Sequence, residues 1–392
     1  MMELVILVTS AAWGLRWLVE RASKKRGFVL EDAQLGGFGR WQALDWALIA
    51  WLSVGAISLL WADIRSTAIT ELRTIFIEPA LFYFIWRTLK PKRERPVLLV
   101  DTLIMAGVVV AILGFVMFLR GEQVITAEGG TRRLASVYGS PNNLSLFLGR
   151  CIPFALAMVL IPTDRQRRIF AFVALLIMGV AIVLTLSAGS FILGLPISIA
   201  VVLWLIWRRK AVWPLAGLSA IATAAIAILV QVSPRFANLL DFSHGTNFYR
   251  LRAWASTWNM LKDNPITGLG LDQFLYAFRG RYIMPDAWQE PTLSHPHNIV
   301  LDFWVRLGIT GIVLLLWLQW AFWEAIWKAY RKYRQNNPLY LALTIGAMGS
   351  MVNLLAHGLV DNSVYVMDLA LVFMLLLGLA SRLSNIHSID LK

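Results

Sequence analysis

The sequence predicts an all-α integral membrane protein, a bundle of about eleven or twelve transmembrane helices with one large loop on the non-cytoplasmic side. Of its 392 residues, 58% are hydrophobic and 15% are charged, whereas a soluble domain has about 45–50% apolar and roughly 25% charged residues. The mean hydropathy is +0.65. The chain also has 18 Trp and 9 Tyr residues, whose amphipathic rings anchor membrane helices at the lipid headgroups.

Long apolar segments recur along the whole chain. A helix needs about 20 mostly apolar residues to cross the hydrocarbon core of a bilayer, and about eleven segments satisfy this length. The predicted spans are 3–20, 44–62, 70–87, 97–119, 144–161, 168–187, 189–207, 211–231, 299–326, 338–359 and 364–381. The first of them is the weakest, because Arg16 interrupts it.

Clusters of lysine and arginine separate many of these segments. They lie at 21–26, 87–95, 165–168, 208–210 and 328–334. With the spans above, all these clusters fall on one side of the membrane, which the positive-inside rule assigns to the cytoplasm. The pattern predicts a cytoplasmic C-terminus and a non-cytoplasmic N-terminus, without a cleaved signal peptide. It also explains most of the net charge of +13 without a nucleic-acid partner.

The opposite side of the membrane receives two unusual segments, a loop at 120–142 and a long stretch at 232–298. The chain therefore divides into eight helices within 1–231, the large loop 232–298, and three helices with a short cytoplasmic tail within 299–392. The large loop has a helix-like pattern over Leu251–Leu261 and turn signals on either side of it. It is predicted to form a small folded cap, containing short helices, on the outer mouth of the bundle.

The end of this loop carries the sharpest cluster of polar residues, Ser294-His295-Pro296-His297-Asn298. Asn298 is a suitable N-cap for the helix that follows. His297 then lies at the positive end of that helix, where the dipole disfavours imidazolium and keeps a ring nitrogen available as a base. His295 is expected to shape the turn. The alternative is that both histidines only contact lipid headgroups.

Two further pairs have the spacing of one helical turn. Asp302 and Arg306 are four residues apart, as are His357 and Asp361, so the members of each pair are expected to face each other. A carboxylate beside His357 would fix its tautomer, while a buried structural pair is the alternative. Glu78-Pro79 is compatible with either a helix kink or a part of the site.

Arginines are numerous on the predicted outer side and inside the spans. They are Arg132 and Arg133 in the first outer loop, Arg250 and Arg252 in the large loop, and Arg73, Arg150 and Arg306 within or at the ends of spans. Several arginines near one mouth would suit a diphosphate, because the guanidinium grips phosphate oxygens with two parallel hydrogen bonds. Snorkelling to lipid phosphates is the alternative, and Arg250 is the arginine favoured for function.

The entry to the fifth span, Tyr138–Asn143, is a third polar element. Asn142 or Asn143 is expected to cap that helix, and the same place is suited to holding a sugar hydroxyl or a phosphate. Capping alone is the simpler interpretation.

Several kinds of site find no support in the sequence. The single cysteine, Cys151, excludes an intramolecular disulfide and a cysteine-based metal cluster. There is no His-Glu-x-x-His motif and no P-loop with its lysine. An Asp-x-Asp pair, which would hold a metal on a nucleotide sugar, is also lacking. The sequence therefore predicts neither a metal ion nor a cofactor.

One spacing motif resembles that of a known family. His297-Asn298 is followed by nine residues, then Gly308, two residues and Gly311. This pattern is similar to the hallmark of the bacterial O-antigen ligase and O-antigen polymerase superfamily, at the end of its large outer loop. The run from Arg250 to Gly270 and the Ser140-Pro141-Asn142 entry also resemble that family, and the resemblance extends from about residue 44 onward.

The resemblance implies a GT-C-like membrane glycosyltransferase in the bacterial inner membrane, with its active site outside the cytoplasm. The implied donor is a glycan on undecaprenyl diphosphate, and the acceptor is a hydroxyl of lipid A core, of a growing glycan or of a protein. His297 would be the general base, and Arg250 would stabilise the departing diphosphate without a metal ion. The other residues expected to contact substrate are Arg252, Arg150, Arg73, Asn142, Asn298, His357 and Asp361.

The chain also departs from the family. Many relatives carry an arginine after a serine between the sixth and seventh spans, whereas this chain has Leu186–Ser190 without one. Arg150 or Arg252 is expected to substitute for it. Relatives often have about twelve spans with both ends inside the cell, which conflicts with the predicted N-terminal topology.

The motif leaves other functions open. A polymerase extends the glycan itself, whereas a ligase passes the finished glycan to a different acceptor, and the motif does not separate the two. A protein-glycosylating member of the superfamily is a third possibility. From another class, a transporter or flippase for a lipid-linked sugar would require internal repeats and a midplane site, which the sequence does not show. A structural scaffold would leave the histidine and arginine clustering unexplained.

Overall fold

The computed structural model describes residues 2–25, 40–90, 92, 94–122, 124–126, 132–232, 243 and 245–385. Within these ranges the protein is almost entirely helical, which confirms the predicted all-α class. Arg26 and Arg93 of the basic clusters, and positions 233–242 and 244 of the predicted large loop, lie outside the described residues.

The helices are numbered in chain order. They are α1 Met2–Lys25, α2 Ala43–Ile57, α3 Arg65–Glu71, α4 Glu78–Thr88, α5 Glu94–Arg120, α6 Pro141–Leu160, α7 Arg165–Thr185, α8 Leu195–Trp207, α9 Val212–Val232, α10 Gly245–Asp263, α11 Phe274–Ala277, α12 Ile299–Leu307, α13 Ile309–Tyr333, α14 Pro338–Gly358 and α15 Met367–Asn385. Strands β1 Val124–Thr126 and β2 Arg132–Leu134 pair antiparallel, with Ile125 opposite Arg133.

Eight helical runs within the described ranges are long and apolar enough to cross a membrane. They are Ala43–Leu60, Glu94–Arg120, Pro141–Leu160, Arg165–Thr185, Ser190–Ile228, Ile309–Tyr333, Pro338–Gly358 and Met367–Asn385. The protein is thus a multi-pass membrane protein. The predicted spans 3–20 and 70–87 are helical but do not belong to this set, and the run Ser190–Ile228 contains two helices, α8 and α9, separated by a 3₁₀ turn.

The three most buried spans, α6, α14 and α15, form the centre of the bundle. In the most apolar stretch of each, 78% is buried inside the protein. Small residues let these helices approach each other closely. A Cβ at Gly346 would lie 2.4 Å from the ring of Phe154, and one at Gly349 would lie 2.9 Å from Pro153. Close van der Waals packing of this kind replaces the hydrophobic effect as the main attraction between helices in lipid.

Two helices are interrupted by π-helical turns. One turn, Leu72–Ile77, leads directly into α4 and Pro79, and the other, Ser190–Gly194, leads into α8. The α7 helix ends just before the second turn, at Leu186 with a φ of +47°. Single π turns are frequent at functional sites. The predicted kink at Glu78-Pro79 therefore corresponds to a change in helix type just before the proline.

The predicted span 299–326 is wrong as a single helix, because the chain breaks at Gly308. This residue has a φ of +66°, which favours glycine. The turn from Ile266 to Leu269 docks on the break: the Leu269 N–H donates to the Val305 carbonyl at 2.7 Å, and the Ile309 N–H donates to the Ile266 carbonyl at 3.2 Å. The short helix α12 thus packs with the large loop, and the span α13 begins only at Ile309.

Glycine at 308 is required by close packing as well as by conformation. An added Cβ would lie 1.8 Å from the carbonyl oxygen of Ile266, which is backbone and has no room to move. We expect Gly308→Ala to lower the free energy of unfolding by about 2–4 kcal/mol through backbone strain and overpacking. Thermal unfolding of the purified protein in detergent measures the loss. The matched control is Gly179→Ala, since no atom lies within 4 Å of the added methyl there; equal stability of the two variants would contradict this account.

Candidate active site

Asp361 lies at the centre of a cluster that joins the large loop to the helical bundle. It follows the C-terminus of α14 and is 3% exposed. One carboxylate oxygen, Oδ1, is 3.1 Å from Nδ1 of His297 and 3.8 Å from Nε2 of His295. The other oxygen, Oδ2, is 3.9 Å from a terminal nitrogen of Arg250. The structure therefore brings together three side chains of the loop around one carboxylate of the bundle.

The carboxylate determines which nitrogen of His297 carries a proton. An ionised carboxylate only accepts hydrogen bonds, so the 3.1 Å contact requires a proton on Nδ1 of His297. In the neutral ring the lone pair is then on Nε2, which makes no hydrogen bond to a described residue. This is the arrangement in which a carboxylate orients a histidine as a base. The geometry makes Nε2 of His297 the available proton acceptor.

The backbone around His297 is fixed by the start of α12. His297 has a φ of +50°, an uncommon conformation for a residue with a side chain. Asn298 caps the helix as predicted, accepting from the N–H groups of Val300 and Leu301. Its side-chain amide also donates to the carbonyl of Leu359 at 3.0 Å. One asparagine thus ends the loop, starts the helix and ties both to the segment that carries Asp361.

The surroundings keep Asp361 ionised and His295 neutral. Burial raises the pKa of Asp361, but the nearby His295, the hydrogen bond with His297 and the charge of Arg250 outweigh burial and hold this pKa well below the ordinary range of aspartate. Burial, together with the neighbouring His297, lowers the pKa of His295. His295 also contacts the Ser294 hydroxyl at 3.0 Å and Nδ1 of His297 at 3.2 Å, which agrees with its predicted role in the turn.

Arg250 has hydrogen-bonding capacity left for a ligand. It lies near the start of α10, with its side chain 12% exposed. One terminal nitrogen is 3.5 Å from the side chain of Asn247, and the other is 3.9 Å from Asp361. Its buried Nε atom has no hydrogen-bond partner among the described residues. A guanidinium held in place by a long ion pair, with donors unused, is suited to grip a phosphate.

A second buried ionic cluster fixes α12 against the bundle. Arg306 pairs with Asp302, as the spacing predicted, and its Nε also donates to Glu71 at 2.9 Å. The guanidinium lies over the ring of Tyr365, 4.4 Å from its centroid. Burial raises the pKa of Asp302, although the charge of Arg306 opposes this shift. The cluster connects α12, α3 and the segment after Asp361, so it holds the site together without entering it.

The predicted hydrogen bond between His357 and Asp361 is not formed. The α14 helix ends at Gly358, so Asp361 is not one helical turn from His357, and its carboxylate bonds His297 instead. Both ring nitrogens of His357 are buried without a hydrogen-bond partner among the described residues. The ring packs against Gly189, where an added Cβ would lie 2.8 Å from it.

Arg150 lies inside the bundle, and its predicted contact with substrate stays a prediction. It is fully buried, and its guanidinium donates to the carbonyls of Leu369 and Ser363 and to the Ser363 hydroxyl. Arg150 therefore fixes the start of α15 from inside the bundle.

The other predicted arginines lie around the site. Arg252 pairs with Asp286 at 2.5 Å within the large loop. Arg73 pairs with Glu78 at 3.4 Å. Arg132 donates to the Phe118 carbonyl at 2.9 Å. None of these contacts includes a residue of the histidine cluster.

Arg133 connects the first outer loop to the end of α7. Its side chain is buried, donating from Nε to the Thr185 carbonyl at 2.8 Å and from a terminal nitrogen to the Asn142 side chain at 2.9 Å. Thr185 directly precedes the segment Leu186–Ser190. Arg133 therefore places a guanidinium beside this segment, and the expected substitution by Arg150 or Arg252 stays a prediction. The predicted cap at Asn142 or Asn143 is wrong, because Ser140 caps α6.

His295, His297 and Asp361 also form a group with metal-ligand chemistry, since one ligand atom from each lies within 4.8 Å of the others. The contact between His297 and Asp361 is explained by a hydrogen bond alone. The expectation that no metal ion takes part stays a prediction.

Part of the chain is similar to known proteins. Residues 147–316 match the family model described as O-antigen ligase. This region, which is less than half of the chain, is therefore similar to O-antigen ligases. It includes α10 with Arg250, His297 and the glycines at 308 and 311, and it ends before Asp361.

Two relatives show the same relationship. The chain is 31% identical over 146 residues to an O-antigen ligase of Salmonella typhimurium, an alignment that covers 35% of each protein. It is 34% identical over 82 residues to a protein of Rickettsia conorii that is named a polysaccharide ligase, covering 20% of each. The chain thus spans 35% and 20% of the lengths of these relatives.

The neutral state of His295 predicts a pH dependence of stability. A buried histidine with a lowered pKa takes up its proton more readily when unfolded, so its contribution to stability is complete above about pH 6.5 and is lost as the pH falls below it. We expect thermal unfolding of the wild type to move to lower temperature between about pH 7 and about pH 5, and the shift to be smaller in His295→Gln. Identical pH dependence of the two proteins would show that His295 titrates normally.

Proposed function

We propose that this protein is an O-antigen ligase-like glycosyltransferase that moves a glycan from undecaprenyl diphosphate to an acceptor hydroxyl. The observation that carries the proposal is the hydrogen bond between Asp361 and Nδ1 of His297, with Arg250 at the same carboxylate. A base and a phosphate-binding cation thus lie within one cluster. The match of residues 147–316 to the O-antigen ligase family supports the same class of reaction.

The reaction begins at the acceptor. Nε2 of His297 takes the proton of the acceptor hydroxyl, and the oxygen attacks the anomeric carbon of the donor sugar. Asp361 stabilises the imidazolium that forms, because its negative charge faces the Nδ1 proton. A positioned base of this kind contributes about 10²–10⁴-fold to the rate.

The bond that breaks joins the anomeric carbon to the diphosphate. Its electron pair leaves with undecaprenyl diphosphate, so the configuration at the sugar is inverted. Arg250 stabilises the charge that develops on the leaving group, and such a preorganised donor is typically worth about 3–4 kcal/mol. The reaction as written needs neither a metal ion nor a nucleotide.

The proposed site faces the side opposite to the cytoplasm. The positive-inside pattern supports this side for the loop 232–298, and the proposed membrane is the bacterial inner membrane. A donor glycan attached to a lipid diphosphate enters from the bilayer, and the acceptor is lipid A core, a growing glycan or a protein. A polymerase would use the same chemistry with a glycan as acceptor.

The base is tested by a transfer assay. Purified protein is incubated with undecaprenyl-diphosphate oligosaccharide and each acceptor, and product masses are measured. We expect His297→Gln and Asp361→Asn each to lower turnover by about 10² or more. Asp263→Asn is the matched carboxylate control, since Asp263 pairs with Arg281 in the loop, away from the site.

The products decide between the functions. One transferred glycan indicates a ligase, and a ladder of whole repeat units indicates a polymerase. Wild-type turnover by His297→Gln would remove this residue as the base. The absence of transfer by the wild type with every acceptor would favour a lipid-linked sugar transporter instead.

The diphosphate contact is tested at Arg250. We expect Arg250→Gln to lower turnover by about 10²–10³-fold. Arg250→Lys should lose less than this, because it keeps the positive charge, but it should not reach wild-type turnover, because only the guanidinium offers a fork of parallel donors. Arg281→Gln is the control, because this arginine of the same loop is 74% exposed. Equal losses in the Gln variants of Arg250 and Arg281 would indicate a general effect of loop charge.

A further inference from the structure

A second polar feature lies at the far end of α13 from the histidine cluster. Trp320, Trp323, Trp327, Tyr330, Arg331 and Arg334 are spaced by three, four, three, one and three residues, which places them on one face of the helix. The helix begins at Ile309, beside α12. At 1.5 Å per residue, Arg331 is about 33 Å further along its axis, at the opposite surface of the bilayer.

This face lines a groove of about 800 Å³ together with Arg208, which follows the end of α8. Arg208 has a φ of +53°, a strained conformation for a residue with a side chain. Its guanidinium lies over the ring of Tyr330, 5.3 Å from the centroid. The hydroxyl of Tyr330 donates in turn to the Leu205 carbonyl at 2.9 Å. The backbone of α8 and the aromatic ring of α13 thus hold Arg208 in the groove.

The guanidinium of Arg208 has an unused hydrogen-bond donor. Its Nε atom is buried and has no hydrogen-bond partner among the described residues. A buried donor atom without a partner is costly, and more so beside lipid, where water is scarce. An anionic acceptor bound in the groove could therefore accept a hydrogen bond from this atom of Arg208.

The groove is also amphipathic along its length. Trp320 and Trp327 are 58% and 37% exposed, so one end offers aromatic surface to the membrane. The other end has three guanidinium groups, those of Arg208, Arg331 and Arg334, and the lining includes one carboxylate, Glu324. An apolar half facing the acyl region and a cationic half at the surface complement a lipid with an anionic headgroup.

We propose that this groove binds one anionic phospholipid, whose phosphate accepts from Arg208, Arg331 and Arg334 and whose acyl chains lie along Trp320 and Trp323. A belt of tryptophan and arginine occurs on most membrane proteins. A strained arginine with a buried unused donor, enclosed with a second helix, distinguishes this groove from such a belt. A free phosphate would fill only the cationic half.

The bound lipid has a structural consequence. Arg208 begins the 3₁₀ turn Arg208–Ala211 that connects α8 to α9. Most of α9 is exposed, Trp213 by 80% and Ile221 by 69%, so few protein contacts restrain it. A phospholipid that connects the end of α8 to α13 would stabilise the turn from which α9 begins.

Native mass spectrometry of the purified full-length protein tests the proposal. Phosphatidylglycerol and phosphatidylcholine with the same acyl chains are added in turn, and bound lipid is counted. We expect the wild type to retain one phosphatidylglycerol preferentially. Each basic residue near an anionic headgroup contributes roughly fivefold to binding. The triple variant Arg208→Gln/Arg331→Gln/Arg334→Gln should therefore lose about tenfold or more of this affinity.

The matched control is Arg209→Gln/Lys210→Gln/Lys328→Gln. It removes the same number of positive charges from the same end of the bundle, at exposed residues outside the groove. This control should bind phosphatidylglycerol like the wild type. Phosphatidylglycerol should raise the unfolding temperature of the wild type and of the control variant, but not of the groove variant. Retained binding by the groove variant, checked for its monodisperse elution, would overturn the proposal.

Two further results would also overturn it. Equal losses in the groove and control variants would show general attraction of anionic lipid to a basic surface. Displacement of phosphatidylglycerol by millimolar inorganic phosphate would show that the groove recognises a free anion. Trp320→Gln tests the acyl-chain half separately, and we expect it to weaken lipid binding without changing the response to phosphate.

Discussion

The structure depends on the buried carboxylate of Asp361, which has no counter-charge on α14, the helix that precedes it. Asp361 follows the end of α14 and is compensated by residues of the large loop, His297, His295 and Arg250. A buried charge is tolerated only when it is paired and hydrogen-bonded. The loop therefore docks where the carboxylate lies, and docking gives His297 its tautomer. The same interaction that fixes the loop to the bundle also creates the proposed base.

Two sets of contacts hold α12, the helix that follows His297, against the bundle and the large loop. Arg306 joins Asp302 and Glu71 beneath the site, and the turn at Ile266–Leu269 docks on Gly308 through two backbone hydrogen bonds. These contacts leave α12 in a single position relative to the bundle. A site that must hold a sugar and a diphosphate within hydrogen-bonding distance requires such rigidity. The spacing between His297 and the two motif glycines thus has a physical meaning. His297 precedes the N-cap of α12, Gly308 ends this helix, and Gly311 lets α13 pass close to the Phe303 carbonyl.

The sequence predicted what depends on local pattern. Apolar length located the spans, and the sequence before Ile299 predicted the Asn298 cap, which the structure confirms. The helix break at Gly308 was missed because hydropathy is continuous across it, and only the docked turn shows why the chain changes direction. The pairing of Asp361 with His297 joins residues 64 positions apart, a distance over which periodicity gives no signal. The partners of Arg150, Leu369 and Ser363, are likewise 219 and 213 positions away, so no local pattern indicates them.

The central claim, that Asp361 makes Nε2 of His297 the free base, is tested most directly by the protonation of that ring. The chain has five histidines, so ¹⁵N labelling of histidine and NMR of the purified protein can resolve them, with His297→Gln for assignment. The account predicts that near neutral pH His297 has a protonated Nδ1 and an unprotonated Nε2, and that Asp361→Asn disturbs this state. A wild-type His297 protonated at Nε2 and not at Nδ1 would contradict the account, since the proposed base would then have no lone pair to offer.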